Sequence, residues 1–466
     1  MTETFTDRTA SSQTLQDLDP VDSVRGALAR ISQTEDKIEA FAAVFAEEAL
    51  AVAQQQRETG PTGPLWGTPV VVKDIYDVGG YRTGNGSLGA PEHLAAADSE
   101  AVRRLRAAGA IIVGKTATHE YAYGVNTPPT RNPWSLDRIP GGSSGGTGAA
   151  IAAGVTTAGL GTDTGGSIRI PAALCGVTGH KPTFGMVSRR GVSALSFTLD
   201  HTGPLGRTVD DTVALLEVIA GHDPGDPYSS TARIPDFRSE FARGLEGLTI
   251  GVAEPYFCDR LTPDVAATFV AAVRTLEAAG AIIRQVRFND VELCPEVVHV
   301  VCGVEAAAWH SIQTGMRPEE FGTDVQRALA VGAAYTGVDY LAGLRARAAV
   351  IAGMTAMFDG GVDLLVSATV AMTAPPFGST EVDFGGTTVP ILDGINALTV
   401  PANVTGMPTL TVPAGFGSDG LPIGLQLMGP PGADATVLGA GRAFESLAGC
   451  VDKPLPALPH ITKPTN

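Results

Sequence analysis

The order of apolar and polar residues near the start of the chain predicts two helices. Asp19 followed by Pro20 is typical of a helix N-cap and first helical position, which predicts a helix through about Arg30. A second, Ala-rich helix is predicted from about Ala46 to Gln56. No catalytic spacing occurs in this part of the chain, so we interpret both helices as an outer layer.

From Pro69 onwards the pattern changes to helices alternating with strands. The apolar run PVVV predicts a buried strand ending at Lys73, and a helix near 98–108 is closed by Gly109 before the strand AIIVG. The same order of helix, glycine and strand recurs at 274–286, which predicts parallel crossover units. Alternation of this kind predicts an α/β fold with a central sheet covered by helices on both faces.

No change of composition marks an independent second domain. The stretch 132–171 is very rich in Gly, Ser and Thr, but helix-like and strand-like segments interrupt it, so we expect it to be ordered. The expected organisation is a helical layer at 1–60 packed on one large domain at 61–466. A helix-rich variable insertion is expected at about 261–358.

Composition and charge argue against nucleic acid and membranes as partners. The 466 residues are 44% hydrophobic and 17% charged, as in soluble globular proteins. The formal net charge of -17 repels polyanions and anionic membrane surfaces, and no run of Lys and Arg offsets it locally. Neither nucleic acid nor membrane is therefore predicted as a partner.

The cysteines and the apolar runs predict a cytoplasmic location. Five scattered cysteines, without CxxC spacing, fit a reducing compartment. The first residues, MTETFTDRTASSQ, are polar where a signal peptide needs an apolar stretch. The small-residue runs at 148–161 and 348–358 are shorter than the roughly 18 apolar residues of a membrane span, so no transmembrane helix is predicted.

Three groups of residues carry candidate chemistry: Lys73, the segment GGSSGG at 141–146, and the segment GTDTGGS at 161–167. Together with GSIRIPAALCGVTGHKPTFGMVSRRGV, SFTLDHTGPLGRTVDD and PANVTGMPTLTVPAGFGSDGLPIGLQLMG, they closely resemble the amidase signature family. The resemblance covers most of residues 65–225 and about 395–430. It implies that family's α/β fold, with a large, mixed, mostly parallel central sheet covered by helices on both faces.

The resemblance also assigns roles position by position. Lys73 falls on the family's catalytic lysine, Ser143 on its cis-peptide serine and Ser167 on its nucleophile. Ser143 is preferred to Ser144 because its separation from Ser167 fits the family pattern. The further assignments are the oxyanion-hole and substrate-binding residues Thr164, Gly165, Gly166 and Ser167, and the supporting residues Gly142, Asp163 and Arg169.

This set of residues suits the cleavage of a carbon–nitrogen bond, which needs a strong nucleophile, a stabilised oxyanion and a protonated leaving nitrogen. The resemblance implies that Lys73 deprotonates Ser143, that Ser143 deprotonates Ser167, and that water hydrolyses the resulting acyl-enzyme. A free lysine has a pKa of about 10.4, so burial must lower the pKa of Lys73 by roughly 3 units. Asp74 would oppose this shift unless strand alternation turns it to the other face.

Other motifs are weaker. Residues 142–146 satisfy G-x-S-x-G, the nucleophile elbow of an esterase acting through Ser144, but no strand precedes them. His119 begins an HExxH pattern in which Tyr123 replaces the second histidine, and no metal or other cofactor is predicted. His180 stands where the family more often has an apolar residue, and we interpret it as a structural histidine.

The predicted activity is that of an amidase hydrolysing a small, neutral, linear amide with water. Carbamates and esters are further candidate substrates, and Tyr121 and Asn126 are candidate pocket residues. One alternative is the glutaminase A-type subunit of a tRNA-dependent amidotransferase, which needs a partner protein. Another is a non-catalytic binding protein on the same fold. The oligomeric state stays open, with a homodimer as one option.

Overall fold

The computed structural model describes residues 19–454 apart from His93. The N-terminal segment MTETFTDRTASSQ, for which no signal peptide is predicted, lies outside these residues. So do the beginning of the predicted region 1–60 and the end of the predicted region 61–466.

Helices and strands alternate along most of the described chain. The helices are α1 (Pro20–Ile38), α2 (Ala46–Thr59), α3 (Glu100–Ala107), α4 (Gly145–Ala152), α5 (Arg169–Cys175), α6 (Val209–Ile219), α7 (Pro263–Ala278), α8 (Cys294–Gln313), α9 (Thr323–Ala334), α10 (Gly337–Asp359), α11 (Ile391–Asn396), α12 (Val400–Thr405) and α13 (Asp434–Ala448). The strands are β1 (Phe41–Val44), β2 (Pro69–Lys73), β3 (Ile111–Thr116), β4 (Ala158–Asp163), β5 (Thr178–Lys181), β6 (His201–Gly206), β7 (Thr249–Ala253), β8 (Ile282–Val286), β9 (Leu364–Ala368), β10 (Glu381–Asp383), β11 (Thr388–Pro390), β12 (Thr409–Phe416) and β13 (Pro422–Met428).

An eleven-stranded mixed sheet, in the order β1-β3-β2-β4-β6-β5-β12-β13-β9-β7-β8, organises the fold. On one side β2 pairs parallel with β3 and β4, and on the other β7 pairs parallel with β8 and β9. The strands between these two groups pair antiparallel. The predicted α/β class is confirmed. The two segments with the order helix, glycine and strand are α3 with β3 and α7 with β8, and each contributes its strand to one of the two parallel groups.

Strand alternation explains why helices cover both faces of this sheet. In β2, Val70 and Val72 pack in the core shared with α3 and α6, whereas Val71 packs against Val24 of α1 and Ala49 of α2. One helical layer accordingly consists of α1, α2, α4 and α5, and the other of α3, α6, α7 and α13.

The N-terminal part begins as the sequence predicts and then differs. The Asp19 carboxylate caps α1, accepting a hydrogen bond from the Val21 amide at 2.8 Å. The helix continues to Ile38, past the predicted end near Arg30. Between α1 and α2 lies β1, which the sequence pattern did not reveal and which pairs antiparallel with β3 at the sheet edge. Backbone hydrogen bonds therefore join this part of the chain to the sheet.

Helix α10 corrects one expectation. The sequence pattern predicted no helix long and apolar enough to span a membrane, but the 23 residues of α10 meet that criterion by length and composition. Arg347 of this helix donates to the carbonyl oxygens of Val404 and Thr198, and the helix packs against α8 and α12. The apolar run at 348–358 is only the second half of the helix, which is why its length was underestimated.

Candidate active site

Lys73, the last residue of β2, lies at the centre of a buried polar cluster. Its side chain is fully buried, and Nζ donates hydrogen bonds to Ser143 Oγ at 2.7 Å and to Thr162 Oγ1 at 2.8 Å. Burial lowers the pKa of Lys73 to about 7, while the charges of Asp163 and Asp200 act in the opposite direction. Near neutral pH a large fraction of the amine is therefore deprotonated and able to accept a proton.

Asp74 faces away from this cluster. Its carboxylate pairs with Lys115 Nζ at 2.8 Å and accepts a hydrogen bond from the Gly84 amide. Consecutive side chains at the end of β2 therefore have different surroundings, as strand alternation predicts. The neighbouring carboxylate is neutralised by a second lysine and does not hold Lys73 in its charged form.

The loop before α4 carries Ser143 to the lysine. The peptide bond between Gly142 and Ser143 is cis, as the family resemblance implies. A Cβ atom on residue 142 would clash with the backbone oxygen of Asn126, so only glycine fits there. Thr127 Oγ1 donates a hydrogen bond to the carbonyl oxygen of Gly141 at 3.0 Å and so holds the start of the loop.

Ser167 follows β4, in the loop that leads to α5, and is 6% exposed. The Ser144 amide donates to the Ser167 carbonyl oxygen at 3.2 Å, which brings the two serine loops into contact. Within residues 19–454, the Ser167 hydroxyl has no hydrogen bond to Ser143 Oγ or to any other described group. Catalytic hydrogen bonds often shorten only when substrate binds.

The Asp163 carboxylate holds the loop of Ser167 through hydrogen bonds to its backbone and to Arg169. It accepts hydrogen bonds from the amides of Gly166 at 2.8 Å and Ile168 at 3.1 Å, and from Nε and Nη2 of Arg169, both at 2.9 Å. Burial alone would raise the pKa of Asp163, but the Arg169 guanidinium lowers it well below its usual range. The carboxylate is therefore charged, and it holds the turn in one conformation.

Arg169 links this loop to the C-terminal part of the chain. It is fully buried, and its guanidinium donates to the Thr399 carbonyl oxygen at 2.9 Å, Gln426 Oε1 at 3.2 Å and Asn403 Oδ1 at 2.7 Å. A buried guanidinium needs such partners because an unpaired charge is costly in the interior. Arg169 therefore joins the serine loop to α12 and β13.

The amides predicted for an oxyanion hole fall into two groups. Gly166 already donates its N–H to the Asp163 carboxylate. The N–H groups of Thr164, Gly165 and Ser167, by contrast, donate to no acceptor in the described part of the chain. Among the predicted oxyanion-hole amides, these three are the ones without a protein acceptor in the described residues.

Ser144, the nucleophile of the esterase alternative, has its hydroxyl engaged elsewhere. The residue is fully buried, and its Oγ donates to the carbonyl oxygen of Thr162 and accepts from the amide of Thr162, each at 3.3 Å. Its side chain therefore connects the loop before α4 to β4.

The two candidate pocket residues lie in different surroundings. Tyr121 is buried in an aromatic cluster, where its ring packs edge-on against His310 with centroids 4.6 Å apart and its hydroxyl donates to Met316 Sδ. Asn126 is half-buried and approaches Gly142 through its backbone. The Asn126 loop thus adjoins the serine loop, whereas the Tyr121 ring packs among residues of α8, α9 and the segment between them.

His180 lies in β5 and is fully buried. Its Nε2 lies 3.1 Å from Asp434 Oδ1, at the start of α13, and burial lowers the pKa of His180. These surroundings are those of a histidine that joins two elements of the core.

A cavity of about 210 Å³ adjoins the polar cluster. Thr162, which accepts the hydrogen bond from Lys73, is part of its lining, as is Thr164 of the loop before Ser167. Asp200 and Tyr228 belong to the same lining. The cavity therefore extends to Thr162, a partner of Lys73, and to Thr164, at the start of the loop of Ser167.

Sequence reasoning missed several residues of this site. Thr162 could have been found, because it lies two residues before Thr164 at the end of a predicted strand, where alternation puts both on one face. Asn403 and Gln426 gave no such signal, since they lie 240 and 257 residues from their partners Asp163 and Arg169.

Comparison with known proteins identifies the family of the chain. The sequence model described as Amidase matches residues 22–438. The chain belongs to the amidase family. Among similar proteins, the A-type subunit of the glutamyl-tRNA(Gln) amidotransferase of Roseiflexus sp. (strain RS-1) is 38% identical over 450 residues, covering 90% of this chain and 91% of that protein. An amidase of Pseudomonas putida is 38% identical over 438 residues, covering 92% and 93%.

A solved structure supports the same assignment. It is a chain from a vestigial protein complex that bears on the origins of an s-triazine catabolic enzyme. This chain superposes on it with a TM-score of 0.87 at 34% identity, covering 93% of this chain and 96% of that one. The resemblance to the amidase signature family is confirmed, and the protein is a hydrolase of that family acting on carbon–nitrogen bonds.

The close approach at Gly142 predicts a large loss of activity when a single carbon is added. In Gly142→Ala the new Cβ meets the Asn126 backbone, so the serine loop must shift, and we expect amide hydrolysis to fall by about 100-fold. Gly337→Ala is the matched control, because nothing lies within 4 Å of a Cβ there. Steady-state kinetics of both variants check this; equal activity in the two would contradict it.

Proposed function

We propose that the protein hydrolyses a small amide through an acyl-enzyme, with Ser167 as nucleophile, Ser143 as proton relay and Lys73 as base. The observation that carries the proposal is the 2.7 Å hydrogen bond between Lys73 Nζ and Ser143 Oγ in a fully buried setting. A lysine with a pKa of about 7 suits general-base catalysis near neutral pH. An exposed lysine would remain charged and could not act in this way.

The acylation step moves one proton along the three side chains. Ser167 Oγ attacks the substrate carbonyl carbon as its proton passes to Ser143, and the Ser143 proton passes to the neutral amine of Lys73. The carbonyl oxygen becomes an oxyanion facing the amides of Thr164, Gly165 and Ser167. Each donor of this kind contributes roughly 3 to 4 kcal/mol to the stability of the transition state.

Collapse of the tetrahedral intermediate completes acylation. The Lys73 ammonium returns a proton to Ser143, which passes its own proton to the leaving nitrogen, and the carbon–nitrogen bond breaks. Water then attacks the carbonyl carbon of the Ser167 ester, giving a proton to Ser143 as Ser143 passes its own proton to Lys73. The bond between the acyl carbon and Ser167 Oγ breaks, and Ser167 recovers a proton from Ser143, which takes one back from Lys73. Carbamates and esters present a similar carbonyl carbon, so the same groups are suited to them.

The surroundings of the cluster favour a compact substrate. The adjoining cavity of about 210 Å³ is smaller than the sites that enclose drug-sized ligands. Its lining combines hydroxyl groups and apolar side chains with charged ones, namely Thr162, Thr164, Ile75, Val192, Arg189, Arg190, Asp200 and Asp226. A cavity of this size suits a small amide better than a polymer.

Covalent labelling tests the nucleophile. A fluorophosphonate is expected to label Ser167, because it mimics the acylation step and reacts with an activated serine. Ser167→Ala should abolish labelling, and Ser143→Ala should slow it by removing the relay. Mass spectrometry of the labelled peptide identifies the site.

Ser144→Ala is the matched control, since Ser144 lies one residue from the proposed relay and its hydroxyl is engaged with β4. It is expected to keep the label on Ser167. Label on Ser144 instead, or none on folded wild-type protein at high probe concentration, would refute the assignment.

The pKa of Lys73 predicts the acid side of the pH profile. Burial disfavours the ammonium form, so kcat/KM for an amide should rise with pH through about 7 as Lys73 loses its proton. Lys73→Ala should remove this activity. Measuring kcat/KM from about pH 5 to 9 for both proteins checks it. Unchanged turnover of Lys73→Ala near neutral pH would show that another group is the base.

A second candidate is a glutaminase component of a tRNA-dependent amidotransferase, which the 38% identity to the A-type subunit from Roseiflexus favours. The two candidates differ in whether one polypeptide is sufficient. We expect the purified chain alone to turn over small neutral amides, measured as amine and ammonia release in separate assays. Hydrolysis confined to glutamine, and weak without a second protein, would favour the amidotransferase component instead.

A further inference from the structure

Asp200 is a buried carboxylate next to the loop of Ser167 that the reaction steps above do not use. It lies at the end of the loop 193–200, immediately before β6. Its Oδ1 accepts a hydrogen bond from Thr164 Oγ1 at 2.6 Å. Its Oδ2 accepts from the amides of Leu195 at 2.9 Å and Ser196 at 3.0 Å. One carboxylate thus joins two loops.

The loop 193–200 is in turn hydrogen-bonded to helix α8. Glu305 of α8 accepts hydrogen bonds from Ser196 Oγ and from the amide and hydroxyl of Thr198, at 3.0 and 2.9 Å for the latter two. Tyr340 of α10 donates its hydroxyl to the same carboxylate at 2.8 Å. Asp200 is therefore the last residue of a loop that α8, supported by α10, holds in place.

Thr164 needs such an anchor because the residues after it have no side chains. Residues 164–166 of the Ser167 loop are each held by one of three contacts: Asp163 binds the Gly166 amide, the Thr399 hydroxyl donates to the Gly165 carbonyl oxygen, and Asp200 binds the Thr164 hydroxyl. In the described part of the chain, Asp200 is the one group that binds the Thr164 side chain. The peptide amides on either side of Gly165 depend on all three contacts for their direction.

We propose that Asp200 is a positioning residue for the reaction given above: its carboxylate holds Thr164 so that the Thr164 and Gly165 amides converge on the oxyanion. The proposal rests on the proposed function and adds a residue outside the three reacting side chains. It also gives α8 and α10 a part in catalysis, because they support the loop that carries Asp200.

The charge of Asp200 provides an independent readout. Asp163 and Asp200 are the carboxylates whose charges favour the ammonium form of Lys73. Burial raises the pKa of Asp200, whereas its hydrogen bonds and the charge of Arg189 act in the opposite direction. The Cys302 thiol and, beyond Ser196, Glu305 are also ionisable neighbours. Removing the Asp200 charge should therefore act on the protonation of Lys73 as well as on the loop.

The first experiment removes the hydroxyl and keeps the charge. Thr164→Val is isosteric but cannot donate to Asp200, so we expect kcat to fall by about 10- to 100-fold with little change in KM. Thr164→Ser restores the hydroxyl and should recover most of the activity. Thr208→Val is the matched control, because Thr208 likewise donates its hydroxyl to a carboxylate, that of Asp211, at 2.7 Å, at the start of α6.

The second experiment removes the charge and keeps hydrogen-bonding groups. In Asp200→Asn, the side-chain oxygen can still accept from the Leu195 and Ser196 amides while the NH₂ donates to Thr164 Oγ1. The acid limb of kcat/KM should move to lower pH, because one negative charge near Lys73 is lost. Asp211→Asn should leave the limb in place. This variant tests the assignment even if Thr164→Val does not fold.

The outcomes separate this proposal from the proposed function. Wild-type protein that neither hydrolyses amides nor labels at Ser167 would refute both. If the wild type is active but folded Thr164→Val keeps its kcat, or Thr164→Ser is as impaired as Thr164→Val, only the role of Asp200 is refuted. An unmoved acid limb in folded Asp200→Asn would equally overturn it.

Discussion

Removal from water lowers the pKa of an ammonium group, and the packing around Lys73 removes it from water. Its strand, β2, lies between β3 and β4 inside the sheet, and the loop before α4 closes over its end. The adjacent Asp74 is neutralised by Lys115, and Asp163 by Arg169. The charges of Asp163 and Asp200 still favour the ammonium form of Lys73, but burial is the larger influence on its pKa.

This requirement makes the candidate site inseparable from the core. The partners of Lys73 are a hydroxyl of β4 and a hydroxyl from the loop before α4, so the sheet and one helical layer both contribute. The loop of Ser167 is fixed by a buried ion pair, Asp163 with Arg169, whose remaining donors are all matched. Burying charges has a large desolvation cost. Such an ion pair therefore fixes the geometry of the loop more than it adds to the free energy of unfolding.

The sequence predicted the local parts of this molecule well and the long-range parts poorly. The strand ending at Lys73, the cap at Asp19 and the glycine-rich loops follow from patterns within a few residues. The antiparallel centre of the sheet and strand β1 could not be predicted, because pairing joins segments far apart in the chain. In the site, Arg169 was assigned by the family resemblance, whereas Asn403 and Gln426 were not predicted, since nothing near them in the sequence indicates a buried arginine partner.

The partners of Arg169 have a consequence for how the chain becomes functional during its synthesis. All three proposed reacting residues have been made once residue 167 is added, but Gln426 follows Arg169 by 257 residues. At usual ribosomal rates of about 5 to 20 residues per second, that interval is roughly 13 to 50 s. Until then the guanidinium lacks its C-terminal acceptors and the serine loop lacks its support. The nascent protein therefore carries its reactive groups for most of its synthesis without the framework that would align them.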